Sequence, residues 1–412
     1  MTDHHHPTQF IVIGLDDSPA PYLPPSIQVL IREGKVFSGG LRHHDIISAF
    51  LPEGAEWIDI TVPLDAVFAR YEAYDHIVVF ASGDPLFFGF ANTIRRRLPE
   101  ARIQLYPTFN SLQTLAHRLV MPYDDMRTVS LTGRPWHEFD RALIERTPKR
   151  GILTDREHTP AAVARGMLDY GYAHYTRYVG EHLGNPERER IRRLELQEAA
   201  ELTFEYPNCL IVHQYPDTYT PTHPGARISL PPLGIPDEEF ELLDGRTRMI
   251  TKAPIRLLTL STLELNRRVS FWDVGFCTGS VSIEAKLQFP HLHVTSFEIR
   301  PEGQRLMEVN SRRFGTPGIT ILIGDFLEAD LDTISHPDAV FIGGHGGHLK
   351  EMIARISHYL LPGGCIVFNS VSEESKSLFI EGIREAGLRL LSGTRIAVNE
   401  YNPIEILKAE QQ

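Results

Sequence analysis

Short apolar runs alternate along the chain with segments whose apolar positions recur at helical spacing. In the first half the runs FIVIGL (Phe10 to Leu15), HIVVFAS (His76 to Ser82), RIQLYPT (Arg102 to Thr108), RTVSLTG (Arg127 to Gly133), RGILTD (Arg150 to Asp155) and NCLIVHQ (Asn208 to Gln214) predict strands. Segments such as SIQVLIREG and PAAVARGMLDYG carry helical periodicity and stop on glycine, so they predict helices. A Pro/Thr-rich run then fits neither period and predicts a linker over 216–233.

From Gly234 the alternation restarts. A helix over TKAPIRLLTLSTLEL leads into the strands VSFWDVG, HVTSFEI, ITILIGD, DAVFIGG and CIVFNSV, with helices between them. This order predicts a doubly wound, mainly parallel sheet. Two late apolar segments, Leu388 to Val398 and Pro403 to Lys408, have no helix between them and predict an antiparallel edge pair. No repeat relates the halves. The expectation is two different α/β domains, 8–215 and 234–412.

Composition narrows the function classes. Of 412 residues, 42% are hydrophobic and 23% charged, enough apolar content for a core in each half. A net charge of -12 sets nucleic acid aside as main partner, because phosphate binding needs a basic face. An anionic small molecule needs only a local basic pocket. Cys209, Cys277 and Cys365 lie far apart, with no disulfide or zinc spacing, so a reducing cytoplasm and no metal site are expected. No secretory leader is expected, nor a membrane partner, since no run approaches about 20 apolar residues. His4 to His6 reads as a tail.

Candidate chemistry concentrates in FWDVGFCTGSVSIEA, Phe271 to Ala285. A dinucleotide loop needs glycines that let backbone reach a pyrophosphate at a helix N-terminus, and this loop has Cys277 where one is expected. S-adenosylmethionine has no phosphate. It needs a tight turn, amides for its carboxylate and an acid for its ribose. Gly275 and Gly279 supply the turn, and Cys277 fits with a negative backbone φ. Glu298 ends the next strand, placed for the ribose hydroxyls. Asp325 ends the third, placed for the adenine amino group, with Phe326 beside it to cover the adenine face. Each acid alone reads rather as a helix cap; the loop, Glu298 and Asp325 in register on three successive strands point to a methyl donor.

A resemblance joins this reading. GIPDEEF, MITKAPIR, WDVGFCTGSVSIEA, IGDFLEA, DAVFIGGHGG and LLPGGCIVFNSV together resemble the decarboxylating precorrin methyltransferases, with Phe276 and Cys277 standing where that family has smaller residues. The resemblance implies that Thr251, Gly275, Phe276, Cys277, Thr278, Gly279, Glu298, Asp325 and Phe326 line a S-adenosylmethionine pocket in a Rossmann-like class I methyltransferase domain. In the first half GGLRHHDII, ASGDPLFFG, YPTFNSLQTLAHRL, VSLTGR, LTDREHTPAAVA and YVGEHLGNPERE resemble the tetrapyrrole methyltransferase superfamily, which implies a fold of two α/β lobes. It implies donor contacts at Gly83, Asp84, Pro85, Asn110, Ser111, Thr132 and Gly133. The chain departs from the family at Gly14-Leu15-Asp16-Asp17-Ser18-Pro19, where the family loop is glycine-rich.

The two resemblances in this order imply methylation of a precorrin at C-5 by the first domain and at C-15 by the second, with loss of the ring C acetate carboxyl. They also imply a homo-oligomer, dimer or tetramer. The substrate's carboxylates require local cations, for which Arg42, His43 and His44 are the first-domain candidates. In the second, His345 and His348 of GGHGGHL are placed to meet the departing acetate. Two rivals stand beside this reading: a first domain that only binds tetrapyrrole, or a second domain that methylates RNA or protein.

Overall fold

The computed structural model describes residues 7–214, 233–399 and 402–411. The His4–His6 tail and, but for Leu233, the 216–233 linker reading lie outside the described residues. The chain divides into two compact units, and two short segments of the first half, Pro135–Thr147 and Gly166–Ala173, group with the second.

The first unit holds two five-stranded sheets. Strands β1 (Gln9–Leu15), β2 (Val36–Gly39), β3 (Glu56–Asp59), β4 (His76–Ser82) and β5 (Arg102–Tyr106) form a wholly parallel sheet in the order β3-β2-β4-β1-β5. Both its faces are covered: Phe10, Val12, Ile77 and Val79 pack into one cluster, Ile13, Leu15, Val78 and Phe80 into another. Double coverage is why β1 and β4 read as continuous apolar runs rather than alternating ones.

Strands β6 (Arg127–Ser130), β7 (Lys149–Leu153), β8 (Tyr175–Glu181), β9 (Arg190–Leu194) and β10 (Asn208–Gln214) form the second sheet, in the order β6-β7-β10-β8-β9. Only β6 and β7 pair in parallel. The predicted runs ending at Thr108, Gly133 and Asp155 all stop short, at Tyr106, Ser130 and Leu153. Strands β2, β3, β8 and β9 carry no run that the hydrophobic pattern picked out.

The second unit is a single seven-stranded sheet, β11 (Ser270–Val274), β12 (His293–Glu298), β13 (Ile319–Ile323), β14 (Ala339–Ile342), β15 (Cys365–Ser370), β16 (Arg389–Ile396) and β17 (Ile404–Glu410). Its order is β13-β12-β11-β14-β15-β17-β16, parallel from β13 to β15. The late pair is antiparallel, with β17 inserted beside β15 and β16 at the edge. The strand order reverses between β11 and β14, so the carboxyl ends of those two strands open the crevice where such sheets bind ligands. Among the described residues no helix is long and apolar enough to cross a membrane.

Candidate active sites

The crevice of the second unit is a cavity of about 750 Å³. Asp273, Gly275, Phe276, Cys277 and Thr278 line it from the loop after β11, Gly343 and Gly344 from the loop after β14, and Thr251 from the segment before the helix Ala253–Leu263. Gly275, Cys277 and Gly279 all take left-handed backbone, with φ of 81°, 51° and 76°. Cys277 therefore corrects the expectation of a negative φ. A non-glycine residue there costs about 1–2 kcal/mol, offset by its amide, which donates to Glu298 Oε2 at 2.9 Å. Gly275 has no such freedom to vary: a Cβ on it would lie 2.6 Å from Gly344 N. Gly279 caps the helix Ser280–Gln288 behind the cavity wall.

Glu298 is buried at 2% exposure and spends its oxygens on the loop. Besides Cys277 it accepts from the Arg300 amide at 3.0 Å and from Arg300 Nη1 at 3.1 Å. Gly303 makes room for it, since a Cβ there would lie 2.6 Å from Glu298 Cγ. Asp325, exposed at the end of β13, accepts from the Leu327 amide at 2.9 Å. Phe326 turns into the core, its ring centroid 5.0 Å from that of Phe297, and is not on the cavity wall. His345 is half-buried with its edge toward Phe368, and burial lowers its pKa. His348 is exposed, 3.9 Å from Glu351. Neither histidine lines the cavity.

Sequence reasoning passed over Asp273. It is fully buried at the end of β11, and its Oδ2 accepts from Ser282 Oγ at 2.5 Å. Its Oδ1 has no partner among the described residues. Burial pushes its pKa up to about 7, with Glu298 adding to the rise. An orphaned carboxylate oxygen in a cavity wall suits a cationic ammonium group, which S-adenosylmethionine carries on its amino-acid end. The residues present fit the donor. The only advance signal was position, an acid two residues before the loop glycine. Lys252, Arg248 and Arg300 also line the cavity and supply the positive charge that the sequence had not located.

A pH effect follows. Only ionised Asp273 attracts the ammonium, so the Kd for S-adenosylmethionine at this cavity is expected to fall by about tenfold from pH 6 to pH 8, as the competent fraction rises. Asp273→Asn flattens that slope if Asp273 is its source; an unchanged slope assigns it elsewhere.

In the first unit the pocket at the carboxyl ends of β1 and β4 measures about 190 Å³. Gly83, Ser111, Thr132 and Arg42 line it, with Asp16 and Asp17. Gly83 has φ 59°, and a Cβ on it would lie 2.6 Å from Asn110 Cα. Asn110 caps the helix Ser111–Arg118, accepting from the Gln113 amide at 3.0 Å. Asp84 accepts from the Leu86 amide at 2.9 Å, with Pro85 inside that turn. The Gly133 amide donates to Asp155 Oδ2 at 2.8 Å. These four residues shape the backbone around the pocket without lining it.

The predicted cations divide. Arg42 faces the pocket, donating to Asp17 Oδ1 at 2.9 Å and Ser82 Oγ at 2.6 Å. His43 lies 3.0 Å from Ser82 Oγ, and burial with the Arg42 charge brings its pKa down to about 4. His44 packs against Trp57, with ring centroids 4.3 Å apart and the rings tilted by 32°. Sites for ligands of this size usually enclose about 300–1,000 Å³. At about 190 Å³ this pocket is smaller than that.

A family model described as tetrapyrrole (corrin/porphyrin) methylases matches residues 25–200, and one described as a precorrin methyltransferase domain matches 243–410. The Salmonella typhimurium cobalt-precorrin-6B C(15)-methyltransferase (decarboxylating) is 38% identical over 188 residues, 43% of this chain and 95% of that protein. The crystal structure of a Geobacter metallireducens precorrin-6Y C5,15-methyltransferase covers 44% of this chain and 98% of its own, at 30% identity and a TM-score of 0.40. The two units thus define a methyltransferase of tetrapyrrole type. Over 396 residues the chain is 30% identical to the Sinorhizobium precorrin-6Y C(5,15)-methyltransferase (decarboxylating), covering 95% of itself and 91% of that protein. It belongs to the family of decarboxylating precorrin-6Y C5,15-methyltransferases.

Proposed function

We infer that the chain methylates a precorrin at C-5 and C-15 and removes a carboxyl group as CO2, with S-adenosylmethionine as donor. The observation that carries this is the match to 91% of the Sinorhizobium relative, which spans both units. The assignment of chemistry to domains is that 8–215 acts at C-5 and 234–412 at C-15.

In the second unit Asp273, Thr251 and the loop Gly275–Gly279 form the donor face, and Glu298 and Asp325 stand at the next strand ends. The donor, when bound, supplies a methyl group already activated on a sulfonium. The protein's task is then to place a nucleophilic ring carbon against it, and positioning alone contributes on the order of 7–11 kcal/mol in well-oriented cases. Arg248, Lys252 and Arg300 hold substrate carboxylates at the cavity wall. His345 and His348 stand on the loop that follows Gly343 and Gly344, beside the acetate that is lost.

In the first unit Gly83 to Pro85, Asn110, Ser111, Thr132 and Gly133 frame the donor pocket, and Arg42, alone of the three expected cations, faces it to meet the macrocycle's carboxylates. A cytoplasmic homo-oligomer, dimer or tetramer, without nucleic-acid or membrane partners completes the proposal; the charge of -12 supports the exclusion of nucleic acid.

One observation favours a second reading, in which the first unit only binds tetrapyrrole: its pocket is about 190 Å³ against about 750 Å³ in the second. Mass spectrometry of the product from purified precorrin-6Y decides. Two methyl gains with one CO2 loss support both units as enzymes. One methyl gain with CO2 loss leaves only the second.

A further inference from the structure

We propose that the outer cleft of the first unit is a carboxylate subsite for the macrocycle, occupied in the free protein by the chain's own Asp17 and Glu205. The proposal rests on the reading that this unit binds a precorrin.

Beside the donor pocket opens a second cavity of about 260 Å³, whose wall shares Asp17, Arg42, Tyr206 and Pro207 with it. Its positively chargeable groups are Arg42, His182 and Arg188, and they are linked in an unbroken series. Arg42 Nη1 donates to Asp17 Oδ1 at 2.9 Å. The other oxygen of Asp17 lies 3.0 Å from His182 Nδ1. His182 Nε2 lies 3.0 Å from Glu205 Oε2, which also accepts from Arg188 Nη2 at 2.8 Å. The series runs from the buried floor, where the side chains of Asp17 and His182 are 9% and 3% exposed, to the open rim, where those of Glu205 and Arg188 are 68% and 57% exposed.

Three features separate this arrangement from an ordinary surface ion pair. First, it joins a loop of the parallel sheet to the end of β8 in the other sheet, along the floor of the cleft where a flat ligand would lie. Secondly, His182 is held at φ 47°, a left-handed conformation that costs a non-glycine residue energy and is concentrated at functional positions. That backbone puts one imidazole nitrogen on each carboxylate. Thirdly, Asp17 lines both cavities, so one carboxylate faces the donor pocket and the cleft at once.

The chemistry favours exchange. His182 is already withdrawn from water, its side chain 3% exposed against 35% for Arg42, so part of the desolvation that makes new ion pairs costly is already met. A carboxylate of the substrate that replaces Glu205 recovers the same charge-assisted hydrogen bonds to His182 and Arg188, while Glu205, at the rim, returns to water; at the floor Asp17 competes with the substrate for Arg42. No bond is made or broken. Asp45 is the other acid on the wall.

The test is the KM for precorrin-6Y in C-5 methylation by the full-length chain, with melting curves to verify each fold. Asp17→Asn removes the competitor for Arg42 and is expected to lower KM by about threefold or more. Arg188→Gln removes a rim cation and is expected to raise it by a similar factor. A folding defect would move both variants the same way, so opposite signs support the subsite. An unchanged or raised KM in Asp17→Asn, or loss of C-5 product, overturns it. If the wild-type chain makes no C-5 product, it is the functional reading that fails. The subsite is then judged on precorrin binding, followed by absorbance: tighter in Asp17→Asn and weaker in Arg188→Gln supports it, equal binding in all three overturns it.

Discussion

Gly275→Ala is expected to reduce C-15 methylation by about a hundredfold or more, while C-5 methylation continues. The residue holds φ at 81°, where a Cβ costs about 1–2 kcal/mol on its own. The larger obstacle is steric. The new methyl carbon would stand 2.6 Å from Gly344 N, 2.7 Å from Gly344 O and 2.9 Å from Gly344 Cα. All three are backbone atoms, so no rotamer change relieves the clash and the loops after β11 and β14 must separate. Both loops line the cavity. Displacing one by about 1 Å is the scale of misplacement that removes two orders of magnitude from a reaction resting on alignment. Single-turnover reactions with labelled donor, analysed by position of the methyl group, measure it. A C-15 rate within threefold of wild type would mean that this loop does not hold the donor.

The second large effect concerns stability. Arg256 and Glu284 are both fully buried, with Nε 2.5 Å from Oε2. Arg256 Nη1 also donates to Asp237 Oδ1 at 3.2 Å and to the Thr251 carbonyl at 2.6 Å, and Nη2 to the Ile235 carbonyl. Glu284 uses its second oxygen to accept from the Gly234 amide. The pair thus binds the helix Ala253–Leu263, the helix Ser280–Gln288 and the Gly234–Thr251 segment into one piece. Arg256→Met leaves Glu284 as a buried charge without its cation, which costs about 3–5 kcal/mol. Urea unfolding of the full chain should show the second unit's transition moving to lower denaturant. Arg256→Met with Glu284→Gln should recover part of the loss, because the orphaned charge is gone. A loss below about 1 kcal/mol in the single variant would contradict this account of the pair. Since Thr251 lines the cavity, the same variant is expected to raise KM for the donor.

Most of the parallel framework was legible from local pattern. Strands β1, β4, β11, β12, β14 and β15 are buried on both faces, so burial writes them as unbroken apolar runs. The four strands left unread have particular causes. Strands β3 and β9 lie at sheet edges and carry charge, as in Arg190–Leu194 with its three arginines. Strand β2 has only four residues. Strand β8 buries Arg177 and Glu181, and two charges in a short run erase the apolar signal.

By itself the sequence determined the two α/β units, the glycine-bearing loop at Gly275 to Gly279, the acids at the strand ends and the family. Those features are set by residues close together in the chain, through burial, backbone freedom and turn chemistry. Only the tertiary structure decided that Cys277 is left-handed, because the carboxylate that stabilises it is 21 residues away. It also decided that Phe326 faces the core, and that Asp273 meets the cavity with one oxygen unpartnered. Asp17 is the furthest case: its partner His182 is 165 residues distant. The sign of a φ and the pairing of a buried charge depend on what the fold brings alongside, and no local pattern carries that.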